Sequence, residues 1–129
     1  MISIKSNREI ELMKEAGRIV ALAHRKIAEA IRPGISTFDL DKIAEDMIRE
    51  NDAIPSFKGY NGFPGSICSS INNVVIHGIP NKKTILKLGD IISIDIGACY
   101  KGYHADSAQT HGVGNVSQHR SNLMEVTEA

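Results

Sequence analysis

The stretch that decides the fold is Asp90-Ile-Ile-Ser-Ile-Asp-Ile-Gly-Ala-Cys-Tyr-Lys-Gly-Tyr-His-Ala-Asp106. Isoleucines alternate with other residues before a tight turn, and a second β-rich run follows the turn, so the pattern predicts two antiparallel strands. In the first strand the side chains of Ile92, Ile94 and Ile96 share one face, which leaves Asp95 on the other. A carboxylate is therefore expected within an isoleucine-rich strand.

The relation between Asp95 and Asp106 depends on which two residues form the turn. A turn at Tyr100-Lys101 places the two aspartates directly opposite each other, and a turn at Lys101-Gly102 makes them diagonal neighbours. Both registers put the two side chains on the same face, because the side-chain period of a strand is two. This shared face is the expectation on which the prediction of a site depends.

Two carboxylates on adjoining strands predict a bound cation. Directly opposed residues place their Cβ atoms ~5 Å apart, where two carboxylates repel unless a proton or a cation lies between them. Divalent metal ions accept hard oxygen ligands and can activate a water for hydrolysis. The alternative is that each aspartate caps a turn or accepts hydrogen bonds at a sheet edge.

Two helices are predicted before the strands. Ser6 and Glu9 fit a capping box, and apolar residues at helical spacing predict an amphipathic helix over about 7–32, which Pro33-Gly34 ends. A second helix is predicted over about 38–50, with Thr37 as its cap. Its expected buried stripe consists of Leu40, Ile43, Ala44, Met47 and Ile48.

The second half of the chain is predicted to form a sheet. A loop rich in Pro, Gly and aromatic residues is expected over 52–65, and strands over 66–71, 74–76, 90–98 and 103–113. A last helical pattern begins near 118–129. Together these elements predict a single α+β domain over residues 1–129, with two helices packed on one face of a mainly antiparallel sheet.

Composition narrows the class of protein. The chain has 129 residues, 42% of them hydrophobic, and fifteen basic residues balance fifteen acidic ones. This balance argues against nucleic-acid or anionic-membrane binding. The N-terminus lacks the apolar core of a signal peptide, and no run of apolar residues is long enough to span a bilayer. With Cys68 and Cys99 read as reduced thiols, the expected location is cytoplasmic.

Several other residues could take part in chemistry or binding. His77 ends an apolar strand before a glycine, where it could bind metal, transfer a proton, hold a substrate carbonyl or serve a structural role. His104 shares a strand face with Asp106, and His111 lies on the opposite face. Four apolar or polarizable residues could line a small pocket, although core packing explains the aromatic ones nearly as well: Phe57, Tyr60, Phe63 and Cys68.

Five segments taken together resemble the type I methionine aminopeptidases. The segments, in chain order, are Pro55-Ser-Phe-Lys-Gly-Tyr-Asn-Gly-Phe-Pro64, Cys68 with Ser70-Ile-Asn72, Val74-Val-Ile-His-Gly-Ile-Pro80, Gly89-Asp-Ile-Ile-Ser-Ile-Asp-Ile-Gly97 and Asp106-Ser-Ala108. The likeness runs from near Met1 to about Val116. Several segments in register are far more specific than any single motif.

This resemblance implies the N-terminal half of the pita-bread fold and a dinuclear metallopeptidase. Such an enzyme removes the initiator methionine from nascent proteins when the second residue is small, in the cytoplasm and close to the ribosome. By resemblance, Asp95 binds one of two divalent ions of cobalt, manganese, iron or zinc, and Asp106 bridges both. His77 would contact the substrate during turnover, and Phe57, Tyr60, Phe63 and Cys68 would line the methionine pocket.

The resemblance also implies what this sequence does not contain. The family's remaining metal ligands, a His in a Gly-His-Gly segment and two later Glu residues, belong to the other half of the fold. Weak or partial metal binding is therefore expected, and the face toward that half could pair two copies in a homodimer. The alternatives are a non-catalytic module that binds peptides or a partner, and a structural remnant without a role.

Overall fold

The computed structural model describes residues 7–59, 62, 64–72 and 79–114. Within these ranges two helices precede four strands. Their bounds are α1 Asn7–Ala30, α2 Thr37–Glu50, β1 Ile54–Pro55, β2 Ile67–Ile71, β3 Ile91–Tyr100 and β4 Tyr103–Gly112. The predicted α+β class is confirmed.

The sheet is organised around β3. Strand β4 pairs antiparallel with β3 along all ten of its residues, from Ile91 to Tyr100. The other edge of β3 is shared by two strands, since β2 pairs with Ile92–Ile96 and β1 with Ala98 and Cys99. The central strand therefore has hydrogen-bonded neighbours on both edges, which holds its side chains in place.

The core lies between the helices and one face of the sheet. Ile92, Ile94, Ile96 and Ala98 on β3 have no exposed surface, and they belong to one core cluster with buried residues of both helices. The α1 side of this core consists of Ile19, Val20, Ala23 and Ile27, which follow helical spacing. Ile10 and Met13, which fit the same apolar pattern in sequence, are each about 40% exposed.

The start of α2 differs from the prediction. Ser36, not Thr37, is the N-cap: its hydroxyl accepts from the Asp39 amide, and the Asp39 carboxylate accepts from the Ser36 amide. Thr37 is the first helical residue, and its hydroxyl donates to the backbone oxygen of Asn81. Both residues have capping chemistry, and the tertiary contact with Asn81 engages the Thr37 hydroxyl.

The remaining predicted elements have two outcomes. The strands predicted over 66–71, 90–98 and 103–113 appear as β2, β3 and β4 with shifts of one or two residues. Strand β1, within the predicted loop, was missed because two residues give no periodic signal. The Ser6 cap, the strand over 74–76 and the helix near 118–129 lie outside the described residues. Within the described ranges, no helix is both long and apolar enough to cross a membrane.

Candidate metal centre

The sheet face that points away from the helices carries the candidate site, and we call it the open face. Three strands contribute to it, as their register requires. Its members are Cys68 and Ser70 of β2, Ser93, Asp95, Gly97 and Cys99 of β3, and His104, Asp106, Ala108 and Thr110 of β4. A hydrogen bond of 3.0 Å between the hydroxyls of Ser93 and Thr110 lies on this face.

Asp95 and Asp106 lie together on the open face as diagonal neighbours. The turn consists of Lys101 and Gly102, because Tyr100 pairs with Tyr103. Asp106 is therefore opposite Gly97, and Asp95 is opposite Ala108. The register decides between the two turns considered from sequence, and it confirms that the two aspartates share a face.

The Asp95 carboxyl is in an environment that disfavours its charge. Burial, followed by a hydrogen bond with the Asp106 carboxyl and its charge, raises the pKa of Asp95 to about 7. Oδ1 of Asp95 is buried, and within the described part of the chain it has no hydrogen-bond partner. A buried carboxylate oxygen without a donor is costly, so this oxygen is a place where a cation would be stabilised.

Cys68 flanks the same position from β2. It is directly opposite Asp95 in the register and is half-buried. Burial raises the pKa of the Cys68 thiol, and the charges of Asp95 and Asp106 raise it further. The thiol is thus kept neutral, as a polarizable wall beside the carboxylates.

These residues fit a divalent metal ion of the kind that the sequence resemblance implies. The two carboxylates are hard oxygen donors, and the buried Oδ1 of Asp95 lacks a protein donor among the described residues. Among the described residues, however, no group of three or more His, Cys, Asp or Glu side chains could hold a metal. The register thus brings together two candidate ligands, Asp95 and Asp106.

Phe57 packs onto the open face at Gly97. A Cβ atom added to Gly97 would lie 3.0 Å from Cε1 and 3.1 Å from Cζ of the Phe57 ring. Such distances are shorter than ordinary van der Waals contact, so the ring occupies the space that a side chain at position 97 would need. Because Gly97 is opposite Asp106, the Phe57 ring lies beside the carboxylate pair.

Ser56 ties the Phe57 segment across the sheet. Its amide donates to the backbone oxygen of Gly97 at 3.0 Å, which continues the pairing of β1 with β3. Its hydroxyl is 3.0 Å from Nδ1 of His104 on β4. Because β1 and β4 lie on opposite edges of β3, this second hydrogen bond crosses over the central strand.

Two acidic residues of α2 anchor the segment between Phe57 and β2. Oδ1 of buried Asp41 accepts from the amides of Ser66 at 2.5 Å and Ile67 at 3.0 Å. Glu45 accepts from Lys58 Nζ at 2.6 Å and from the Ser66 hydroxyl at 3.1 Å. Mainly through the hydrogen bond from Lys58, the pKa of Glu45 falls to about 2. The acidic pair therefore fixes both ends of the loop that carries the predicted pocket.

The other sequence candidates have different outcomes. His77, Tyr60 and Phe63 lie outside the described residues, so their places in the site stay predictions. His104 is on the open face, as expected, and it contacts Ser56. His111 pairs with Ile92 and is on the helix side of the sheet, also as expected.

Sequence reasoning missed Ser56 and Gly97. A glycine inside a strand often marks a close approach of another segment, and that signal was present at Gly97. Ser56 offered no comparable signal, because its partner His104 is 48 residues away in the chain. Such a contact depends on the register of two separate strand pairs.

A sheet with paired aspartates on its open face and two helices behind it is an architecture suited to a metal-dependent enzyme. Residues 11–129 match the model of metallopeptidase family M24, and the chain belongs to that family.

Relatives with high sequence identity to the chain include several methionine aminopeptidases. The chain is 59% identical over 128 residues to methionine aminopeptidase 1 of Bacillus subtilis (strain 168), which covers 99% of this chain and 51% of that protein. The crystal structure of methionine aminopeptidase from Thermotoga maritima superposes with a TM-score of 0.93 at 40% identity, over 99% of this chain and 51% of that one. The enzyme from Rickettsia prowazekii gives 0.92 at 38%, with the same coverage.

The chain spans about half the length of the relatives it matches. The likeness confirms the predicted family and the predicted half of a pita-bread fold. The activity of the whole relatives comes to this chain as a proposal.

Proposed function

We propose that this chain supplies the N-terminal half of a dinuclear methionine aminopeptidase site. Its substrate would be the N-terminus of a nascent peptide that begins with methionine and continues with a small residue. Asp95 and Asp106 would hold the metal, and the loop that carries Phe57 would receive the methionine side chain. The setting would be the cytoplasm, near the ribosome.

The main support for a metal site is the environment of the Asp95 carboxylate. The buried Oδ1 of Asp95 has no hydrogen-bond partner among the described residues, and the Asp106 carboxyl is beside it on the same face. Two isolated turn-capping aspartates would instead direct their oxygens to backbone amides, as Asp41 does. The environment of Asp95 favours either a proton or a metal ion.

When bound, divalent ions supply Lewis acidity and lower the pKa of a water for attack on the peptide bond. The residues of this chain provide the setting for that chemistry. Asp95 is held at the centre of the sheet by strand pairing on both edges, and the adjoining Asp106 is on a strand of ten paired residues. Both oxygen donors are therefore positioned by the backbone before a ligand arrives.

The substrate side of the site would be built from the loop between β1 and β2 and from β2 itself. Phe57 and Cys68 flank the two aspartates, and their apolar and polarizable surfaces suit a thioether side chain. We assign Tyr60 and Phe63 to the same pocket from the family resemblance. On the same basis His77 is proposed to contact the substrate during turnover.

The proposed metal affinity of this chain is weak. Two carboxylates leave most of the coordination sphere to water, and second-shell orientation is correspondingly poor. Cobalt, manganese, iron and zinc are the candidate ions. The proposal is supported by the register, which brings two carboxylates together on the open face.

Metal titration tests whether Asp95 and Asp106 bind a metal ion. Calorimetric titration of the chain with manganese should give weak binding that Asp95→Asn and Asp106→Asn each reduce severalfold. Asp46→Asn is the matched control, because Asp46 is exposed on α2. Equal affinity in all four proteins would contradict the assignment of the two aspartates as ligands.

A peptide hydrolysis assay tests the proposed aminopeptidase activity. The proposed activity predicts that a Met-Ala-Ser peptide releases methionine in the presence of divalent metal and that Asp106→Ala abolishes this release. Peptide binding without release would favour the alternative, a non-catalytic module that recognises peptide N-termini. Absence of both binding and release would leave the chain as a structural remnant.

Self-association is a separate proposal. It is supported by Ile54, which is 60% exposed and pairs with Cys99 at the edge of the open face. A homodimer through this face would bring two pairs of aspartates together. A single monomeric species in sedimentation velocity at high protein concentration would contradict it.

A further inference from the structure

The absence of a side chain at Gly97 is what allows the Phe57 segment to lie against the carboxylate pair. A Cβ at this position would be 3.0 Å from the Phe57 ring and 3.1 Å from Cβ of Ser56. Gly97 is buried within strand β3, and its φ angle is not in the left-handed region. Backbone conformation therefore does not require glycine here, and space does.

The space left by the missing side chain at Gly97 also accommodates a hydrogen bond between Ser56 and His104, which fixes the Phe57 segment. Ser56 approaches Gly97 from one edge of β3, and its hydroxyl reaches Nδ1 of His104 on the far edge. His104 is opposite Cys99. It lies two residues before Asp106 on β4, so the two side chains share a face. The Ser56–His104 hydrogen bond thus ties the Phe57 segment to the strand that carries Asp106.

We propose that Gly97 is a specificity-determining position: it seats the Phe57 ring, with Ser56 and His104 as positioning residues, as an aromatic wall for the first side chain of the substrate. This inference rests on the proposed function and adds the residues that place its pocket wall. A ring at this position selects an unbranched side chain that contains sulfur, because sulfur–aromatic contacts are favourable. The bulk of a residue at position 97 controls where that ring lies.

Fluorine NMR can observe the ring directly. The chain contains three phenylalanines, so labelling with 4-fluorophenylalanine gives three signals, and Phe57→Leu identifies the signal of Phe57. Gly97→Ala should shift that signal without any ligand, and Ser56→Ala should shift it less. The signal of Phe38, which lies on α2 beneath Lys82, should not move.

A matched glycine provides the control. Gly17→Ala adds a Cβ that meets nothing within 4 Å, and Gly17 is in the middle of α1. It should leave the Phe57 signal unchanged. An unchanged Phe57 signal in Gly97→Ala as well would overturn the positioning role of Gly97.

Peptide binding tests the specificity role. Met-Ala-Ser and its norleucine analogue, in which a methylene replaces sulfur, are titrated in the presence of zinc. The unaltered chain should prefer methionine by about two- to tenfold, the range of a sulfur–aromatic contact. Phe57→Leu and Gly97→Ala should each remove that preference, and Gly17→Ala should retain it.

The outcomes separate this inference from the proposed function. No binding of either peptide by the unaltered chain would contradict the proposed function and with it the specificity role, whereas the Phe57 signal still tests positioning. Methionine preference retained in Gly97→Ala would overturn the inference alone. If Gly97→Ala does not fold, Gly97→Ala with Phe57→Ala should restore folding, and failure to do so would also overturn it.

Discussion

His24 on α1 donates through Nε2 to the backbone oxygen of Ser107 on β4, at 2.9 Å. A carbonyl oxygen only accepts, so Nε2 carries a proton, and burial, which lowers the pKa of His24, favours the neutral ring in which Nδ1 is unprotonated. His24 is 1% exposed, and its Nδ1 has no hydrogen-bond partner among the described residues. The helix layer is thereby joined to the residue that follows Asp106.

Removal of the His24 ring should destabilise the fold. His24→Ala leaves a cavity between α1 and β4 and removes the hydrogen bond to Ser107, so we expect a loss of about 2–4 kcal/mol in the free energy of unfolding. Urea denaturation measures this loss. Arg25→Ala, at the next and exposed position of the same helix, should change stability by less than about 0.5 kcal/mol. Similar values for the two variants would contradict the buried role of His24.

Stability should depend on pH through His24. Burial lowers its pKa, and the hydrogen bond to Ser107 and the charge of Asp106 oppose this only in part. The unfolded chain therefore binds the proton more readily. The contribution of neutral His24 should be complete above the ordinary histidine pKa of ~6.5 and decline as pH falls below it.

The variant His24→Leu isolates this effect. Asp95 acts in the opposite sense, because its raised pKa, about 7, means that the folded chain binds its proton more readily. The difference in unfolding free energy between the two proteins cancels that shared contribution. It should move in favour of His24→Leu as pH falls from 7.5 to 5.5, and a difference independent of pH would refute the prediction.

Asp41 should be essential to the start of β2. Asp41→Ala would leave the buried amides of Ser66 and Ile67 without an acceptor, which should cost about 2–4 kcal/mol in denaturant unfolding. Asp46→Ala, on the exposed side of the same helix, should be within about 0.5 kcal/mol of the unaltered chain. A small loss in the unfolding free energy of Asp41→Ala would contradict this role, because it would mean that water can replace the carboxylate as the acceptor for these amides.

The observed cap of α2 can be distinguished from the predicted one. Ser36→Ala should lower stability by about 1 kcal/mol, because the Asp39 amide loses its acceptor. Ser36→Asn should recover most of that loss, since asparagine is an equally good N-cap. Thermal unfolding followed by circular dichroism provides the comparison, and an Asn variant as weak as the Ala variant would argue against a capping role.

Local patterns were sufficient for much of the fold. Alternation of Ile92, Ile94 and Ile96 predicted both the strand and its buried face, because a period of two leaves few other arrangements. The same parity placed Asp95 and Asp106 on one face whichever turn formed. The N-cap of α2 was misassigned because Ser36 and Thr37 are adjacent and each has a hydroxyl that can cap a helix.

The sequence by itself determined the two helices, the antiparallel hairpin and the common face of Asp95 and Asp106. These depend on side-chain periodicity and on residues close together in the chain. Only the tertiary structure decided that Phe57 lies over Gly97, that Ser56 reaches His104 across β3 and that His24 bonds to Ser107. Each of these contacts joins segments at least 40 residues apart, and their geometry is set by how strands register and helices pack, which no local pattern encodes.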